Sequence, residues 1–202
     1  MNFLAHIYLS GNSTPITIGN FIGDFLRGVK LEQFNTEIQK GIHLHRAIDH
    51  YTDNHHVVLR SKKRLWKKYR HFSGVIVDIY YDHFLARNWD NFSIIPLTEY
   101  VNNFYTLITS HKTVLPQKVN QMLPYMIEKN WLVNYANFEG MREVMTGMSK
   151  RTRHHSKMEE SVQELIEGYE DFKGDFFEFF PELEYHVQKH LLESPTSLQN
   201  PL

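Results

Sequence analysis

The 202-residue sequence contains no cysteine. That removes disulfides, thiolate zinc sites and cysteine nucleophiles together, and it suits a reducing cytoplasm. Long hydrophobic runs are also missing: nothing approaches the roughly 18–20 apolar residues of a membrane span. Residues 1–26 carry no Lys or Arg and are broken by Asn, Ser, Thr, Gly and Pro, so they lack the basic start and apolar block of a secretory leader. A soluble, cytoplasmic protein is expected. Net charge is only −1, which gives no support to a general polyanion binder such as a nucleic-acid-coating protein. A Walker-type glycine loop, a G-x-S-x-G elbow and an H-E-x-x-H helix are all absent, which argues against several common hydrolase classes.

What is present is a chain with 42% hydrophobic and 14% aromatic residues, enough for one good-sized core. Helical signals dominate and alternating strand patterns are scarce. After a short apolar opening over 2–9, "SGNSTP" supplies a cap for a helix from Pro15 to a stop at Gly28. A second helix is predicted over Thr36–Asn54, with Leu44, Ala47, Ile48 and Tyr51 as its core stripe. A third covers 55–71, with Val58, Leu65, Trp66 and Tyr69 as a thin apolar seam. "VIVDIYYDHFLARNW", from Val75, is too long without a breaker for a strand and reads as a buried helix. Further helices are predicted over roughly 97–110, 117–129, 137–149 and 156–192, with Pro181 interrupting or kinking the last. The expectation is an all-α, single-domain helical bundle over 1–192, with 193–202 as a frayed tail.

Thirteen histidines make metal or phosphate chemistry worth testing. They concentrate in "GIHLHRAIDHYTD", Gly41 to Asp53. At about 100° per residue, His45 and Asp49 share a helix face while His43 points elsewhere. The pair reads either as a local i,i+4 contact or as two inward-facing ligands with Arg46 at their edge to meet a phosphate. His50 is the most dispensable member of the cluster. Asp78 and Asp82 repeat the four-residue spacing on an apolar helix, with His83 beside Asp82. Like charges at that spacing repel by a few tenths of a kcal/mol, a cost that a cation would reverse. Asp24, beside Phe21, Ile22, Phe25 and Leu26, pairs either structurally with Arg27 or as ligand and phosphate-binding guanidinium at one pocket mouth. His6, His55, His56, His71, His154 and His155 read as surface or core residues, with His6 the foremost exception. Mixed nitrogen and oxygen ligands of this kind suit Mn, Mg, Fe or Zn, whose usual use is to lower the pKa of a bound water for phosphoester hydrolysis.

"MNFLAH", "GDFLRG" (Gly23 to Gly28), "GIHLHRAID" with "TDN" (Gly41 to Asn54) and "DHFLARNW" (Asp82 to Trp89) together resemble the acyl carrier protein phosphodiesterase family, down to "EGMREVMTGMSKR". The resemblance implies an all-helical, HD-phosphohydrolase-like enzyme. Such an enzyme removes 4′-phosphopantetheine from holo-acyl carrier protein with a divalent cation, typically Mn2+. By position it implies Asp24, His45, Asp49, Asp78, Asp82 and His83 as the metal centre. Arg27 and Arg46 would lie near the phosphate, and Asp24, Arg27, Arg46 and His83 would be the catalytic set. The adjacent pair runs Asp82-His83 rather than His-Asp, a departure from the wider HD pattern.

Charge is segregated in a way that fits such a partner. "RSKKRLWKKYR" (Arg60 to Arg70) holds seven Lys or Arg and no acid, and "SKRTRHH" (Ser149 to His155) adds a second basic cluster. Lys62, Lys63 and Lys67 are therefore expected to meet a small acidic carrier protein and steer it to the site. A solvated charged face is the plainer reading. Glu159 to Glu184 holds ten acids against one lysine, which argues against wrapping an extended polyanion. Two other functions fit the same residues: hydrolysis of a nucleotide or other small phosphoester, and non-catalytic binding of an acidic protein.

Overall fold

The computed structural model of the chain describes residues 1–150 and 156–193. Among them there are eleven α-helices, six short 3-10 segments and no strand. The first five helices, which build the site, are α1 (Phe3–Leu9), α2 (Thr14–Ile22), α3 (Thr36–Asn54), α4 (His56–Tyr69) and α5 (Ser73–Arg87). The rest are α6 (Leu97–Ser110), α7 (Gln117–Glu128), α8 (Trp131–Asn134), α9 (Phe138–Ser149), α10 (Ser161–Glu167) and α11 (Tyr169–Glu193). The expected "SKRTRHH" cluster beyond Lys150, with His154 and His155, lies outside the described residues, as does the tail after Glu193.

Helix α5 is apolar on every side and is buried from Ile79 to Ala86, the pattern of a helix surrounded by protein. Leu4, Ile22, Leu44, Ile48, Val58, Phe176 and Phe179 belong to the same continuous core. Helices α2 and α3 approach so closely that their backbones touch. A Cβ on Gly19 would overlap the carbonyl oxygen of Ile38, and one on Gly41 would overlap that of Ile16. No other residue fits either position.

Three expectations from the sequence need correction. The helix predicted from Pro15 to Gly28 ends at Ile22 and tightens into a 3-10 turn over Gly23–Phe25. The space beside Gly23 is taken by the His45 ring, which a side chain there would strike. The long final helix is broken at Gly168 rather than at Pro181, which lies inside α11. Trp66 is not part of the seam: it is 48% exposed and packs edge-on against His71.

The basic helix α4 is divided by its surroundings. Arg60 and Arg64 both reach Asp175 on α11, which is buried and also accepts from Ser61 Oγ at 2.5 Å. Arg60 also pairs with Glu178, and Lys68 pairs with Glu160 and Glu164. One face of α4 is thus consumed by the acidic C-terminal helices. Lys63 and Lys67 stay exposed on the other.

These contacts make three stability predictions. Gly41→Ala should destabilise the fold by about 1–3 kcal/mol because backbone, not a movable side chain, meets the new methyl. Gly174→Ala, on α11 where a Cβ meets nothing, should stabilise it by about 0.5–1 kcal/mol through helix propensity. Asp175→Ala should cost about 2–3 kcal/mol, limited because both guanidiniums reach solvent. Urea denaturation of the three variants measures all of these.

Candidate active site

Asn20, near the end of α2, is fully buried and holds two histidines at once. Its side-chain NH2 donates to the His6 carbonyl oxygen at 2.7 Å and to Ser10 Oγ at 2.9 Å. Its Oδ1 is therefore the acceptor facing His6 Nδ1 at 2.7 Å. Its backbone carbonyl oxygen faces His45 Nδ1 at 2.8 Å. An oxygen that can only accept requires a proton on each Nδ1, so each ring turns Nε2 toward the site. The two imidazoles stack with centroids 4.1 Å apart.

Both Nε2 atoms meet Asp49. His6 Nε2 lies 3.2 Å from Asp49 Oδ1 and His45 Nε2 lies 3.1 Å from Asp49 Oδ2. Asp24 Oδ1 is 3.3 Å from His45 Nε2. The Asp49 contact to His6 is close but is not a hydrogen bond, so His6 Nε2 is a buried nitrogen without a donor or acceptor partner. His6, His45 and Asp49 offer three ligand atoms within 4.8 Å of one another. A nitrogen lone pair and a carboxylate oxygen facing each other need a positive charge between them. These residues fit a divalent cation with hard and borderline ligands.

The electrostatics agree. Burial pulls His45 toward the neutral form, but its hydrogen bonds to Asp24 and Asp49 outweigh that and raise its pKa to about 9. Burial likewise works against charge on Asp49, yet His45 and the close contact with His6 hold its carboxyl well below the usual range. Asp24 is also lowered, chiefly by its bond to His45. His6 is pushed toward neutrality by burial. A proton on His45 Nε2 thus stands where a metal ion could replace it.

The site opens into an acid-lined cleft of about 230 Å³ whose walls include Asp24, Asp49, Asp53, Asp78 and Met148. The Met1 amino group lies in this cleft, 3.1 Å from Asp78 Oδ1 and 3.8 Å from Asp49 Oδ1. Lys62 reaches the rim and bonds Asp53 at 2.7 Å. Arg27 and Arg46 are exposed and form no ion pair among the described residues.

Asp82 does something the sequence did not suggest. Fully buried, it accepts from the backbone N–H groups of Leu4 at 2.7 Å and of Asn2 and Ala5 at 3.3 Å. It caps α1 from α5 and so holds His6 in place. Burial raises its pKa to about 7, against the Met1 amine and these three N–H groups. His83 is turned to another flank of α5: its Nδ1 donates to the Tyr135 carbonyl oxygen at 2.7 Å, and its ring lines a separate cavity. His43 and His50 are exposed on α3. The structure therefore brings together Asp24, His45, Asp49 and Asp78, adds His6 and Asn20, and leaves His83 outside the cluster. The signs of His6 in the sequence were its place in an apolar opening segment and in the "MNFLAH" motif, which made it the foremost exception among the remaining histidines.

Comparison with known proteins agrees with the resemblance in the motifs. A Photorhabdus laumondii acyl carrier protein phosphodiesterase is 32% identical over 90% of this chain and 92% of its own. Proteins of the same name from Escherichia coli O6:H1 and Yersinia enterocolitica are 30% and 28% identical, covering 91% and 93% of this chain and 95% and 98% of their own. No solved structure matches. The family described as acyl carrier protein phosphodiesterase matches residues 1–183, and the chain belongs to that family.

Proposed function

We propose that the protein hydrolyses the phosphodiester joining 4′-phosphopantetheine to holo-acyl carrier protein, leaving the apo form, at the cleft above His6 and His45. One observation carries this reading: two imidazoles, each committed through Nδ1, turn Nε2 toward a shared carboxylate at the base of an open acidic cleft. His6, His45 and Asp49 would hold a divalent ion, with Asp24 and Asp78 at its open side. Mn2+ is favoured, and Mg2+, Fe2+ or Zn2+ also suit these donors. When bound, such an ion supplies Lewis acidity toward the phosphoryl oxygens and lowers the pKa of water.

The chain's own groups do the rest. Asp24, kept ionised by His45, faces the cleft and can take the proton of an attacking water. Arg27, three residues on, and Arg46, next to His45, are free to bind phosphate oxygens as negative charge develops on them. An apolar groove of about 380 Å³, lined by Phe3, Phe25, Met122, Trp131 and Tyr135 among others, shares Met148 with the acid cleft. The prosthetic arm would lie there once its phosphate is seated. Lys63 and Lys67 form the exposed basic face for the carrier, and Lys62 joins that face to the cleft rim through Asp53. We assign this chemistry to the cytoplasm, a reducing compartment with which a cysteine-free chain is compatible.

Incubation of the purified protein with holo-carrier and Mn2+ should give apo-carrier, read as loss of the arm by mass spectrometry. No product with any of the four ions overturns the assignment. Joint Lys63→Glu and Lys67→Glu changes should raise KM about tenfold at low salt and leave kcat near its starting value. Turnover of free nucleotides with indifference to these changes would point instead to a small-phosphoester hydrolase. Asn20→Ala should weaken Mn2+ binding about 10–100-fold by calorimetry, since His6 loses the side-chain acceptor that orients it while the backbone carbonyl still holds His45.

A further inference from the structure

A third cavity, also of about 380 Å³, shares no lining residue with the acid cleft or the apolar groove. Its walls are His83, Arg87, Ala136, Asn137, Phe138, Ile166 and Tyr169. His83 is 1% exposed, and its ring lies nearly parallel to Phe138 at 5.3 Å. Because Nδ1 donates to the Tyr135 carbonyl oxygen, the neutral ring presents Nε2 as an acceptor, and that buried atom has no partner. Arg87 lies one helical turn further along α5, exposed and without an ion pair among the described residues.

A lone water does not account for this arrangement. One water occupies about 30 Å³ and needs two to four polar partners, whereas this cavity is far larger and its walls between His83 and Arg87 are mostly aromatic and aliphatic. The three kinds of wall ask for three parts of one molecule: a donor for Nε2, a flat apolar body beside Phe138 and Tyr169, and an anion for the guanidinium. We propose that this cavity is a binding site for a small aromatic acid bearing a hydroxyl or N–H donor. The donor meets His83 Nε2, the ring packs against Phe138 and Tyr169, and the carboxylate pairs with Arg87. The site is independent of the phosphodiester cleft.

Calorimetric titration of the full chain with 4-hydroxybenzoate tests the proposal. Saturable one-site binding at millimolar concentration or below is expected, weakened about tenfold by Arg87→Ala through loss of the charged bond. Benzoate, which lacks the donor, should bind about tenfold more weakly to the unaltered protein. Ile166→Trp, which fills the cavity from its partly exposed edge, should abolish binding even if the arginine variant does not fold. Asp78→Asn, in the acid cleft, should leave binding unchanged. Absence of saturation, equal binding of benzoate, indifference to Ile166→Trp, or sensitivity to Asp78→Asn would each overturn it.

Discussion

The site depends on a backbone contact between two helices. Gly19 on α2 and Gly41 on α3 let the helices meet without side chains between them. One residue past Gly19, Asn20 then lies against His45, four residues past Gly41. At that separation the Asn20 carbonyl oxygen can take the His45 Nδ1 proton while its side chain takes that of His6. Helices packed at the ordinary 8–10 Å across larger residues would place the same groups out of hydrogen-bond reach. Gly23 repeats the device one turn later, where the absence of a side chain makes room for the His45 ring itself.

A second constraint ties α1 to the core. The first turn of a helix leaves backbone N–H groups unpaired, and α1 begins beside the buried helix α5. Asp82 satisfies three of those groups from below, while Asn2 caps Phe3 at 2.8 Å. A short helix of seven residues has little stability of its own, so its position is set by this carboxylate and by the burial of Leu4, Ala5 and Ile7. His6 inherits that position. Asp82 thereby sets the geometry of the His6, His45 and Asp49 cluster through backbone bonds, with its own oxygens already engaged.

Helical periodicity made much of this legible before the structure. Thr36–Asn54 was legible to the residue, and His45, Asp49 and Asp24 stood out because i,i+4 spacing and an acid beside an apolar stripe are local signals. His6 and Asn20 were not legible in the same way: their bond spans fourteen residues and joins two helices, and no spacing rule reaches across a helix crossing. Asp82 and His83 show the opposite failure. Adjacent in sequence, they face different neighbours, one the start of α1 and the other the Tyr135 carbonyl. The basic run on α4 was visible as a run, but its division between internal pairs and exposed lysines depended on where α10 and α11 return.

Charge magnitude explains why an acidic cleft can serve a phosphodiester at all. Four carboxylates, Asp24, Asp49, Asp53 and Asp78, surround the space that an anionic phosphate would have to approach. Each unit charge 4 Å from another contributes about 4 kcal/mol at an effective dielectric constant of 20, so even two unscreened acids would exclude the substrate. Three cations stand against these four acids: His45 answers Asp24 and Asp49, the Met1 amine answers Asp78, and Lys62 answers Asp53, which leaves one net negative charge. That balance weakens the repulsion without supplying attraction. On the proposed reading, a divalent charge in place of the single proton on His45 would cancel that remaining negative charge, and Arg27 and Arg46, exposed and without an ion pair among the described residues, would then tip the balance toward attraction. Two imidazoles and a carboxylate would on that reading exchange one positive charge for two, and the acids that would otherwise repel the substrate would become the means of holding the added charge beside it.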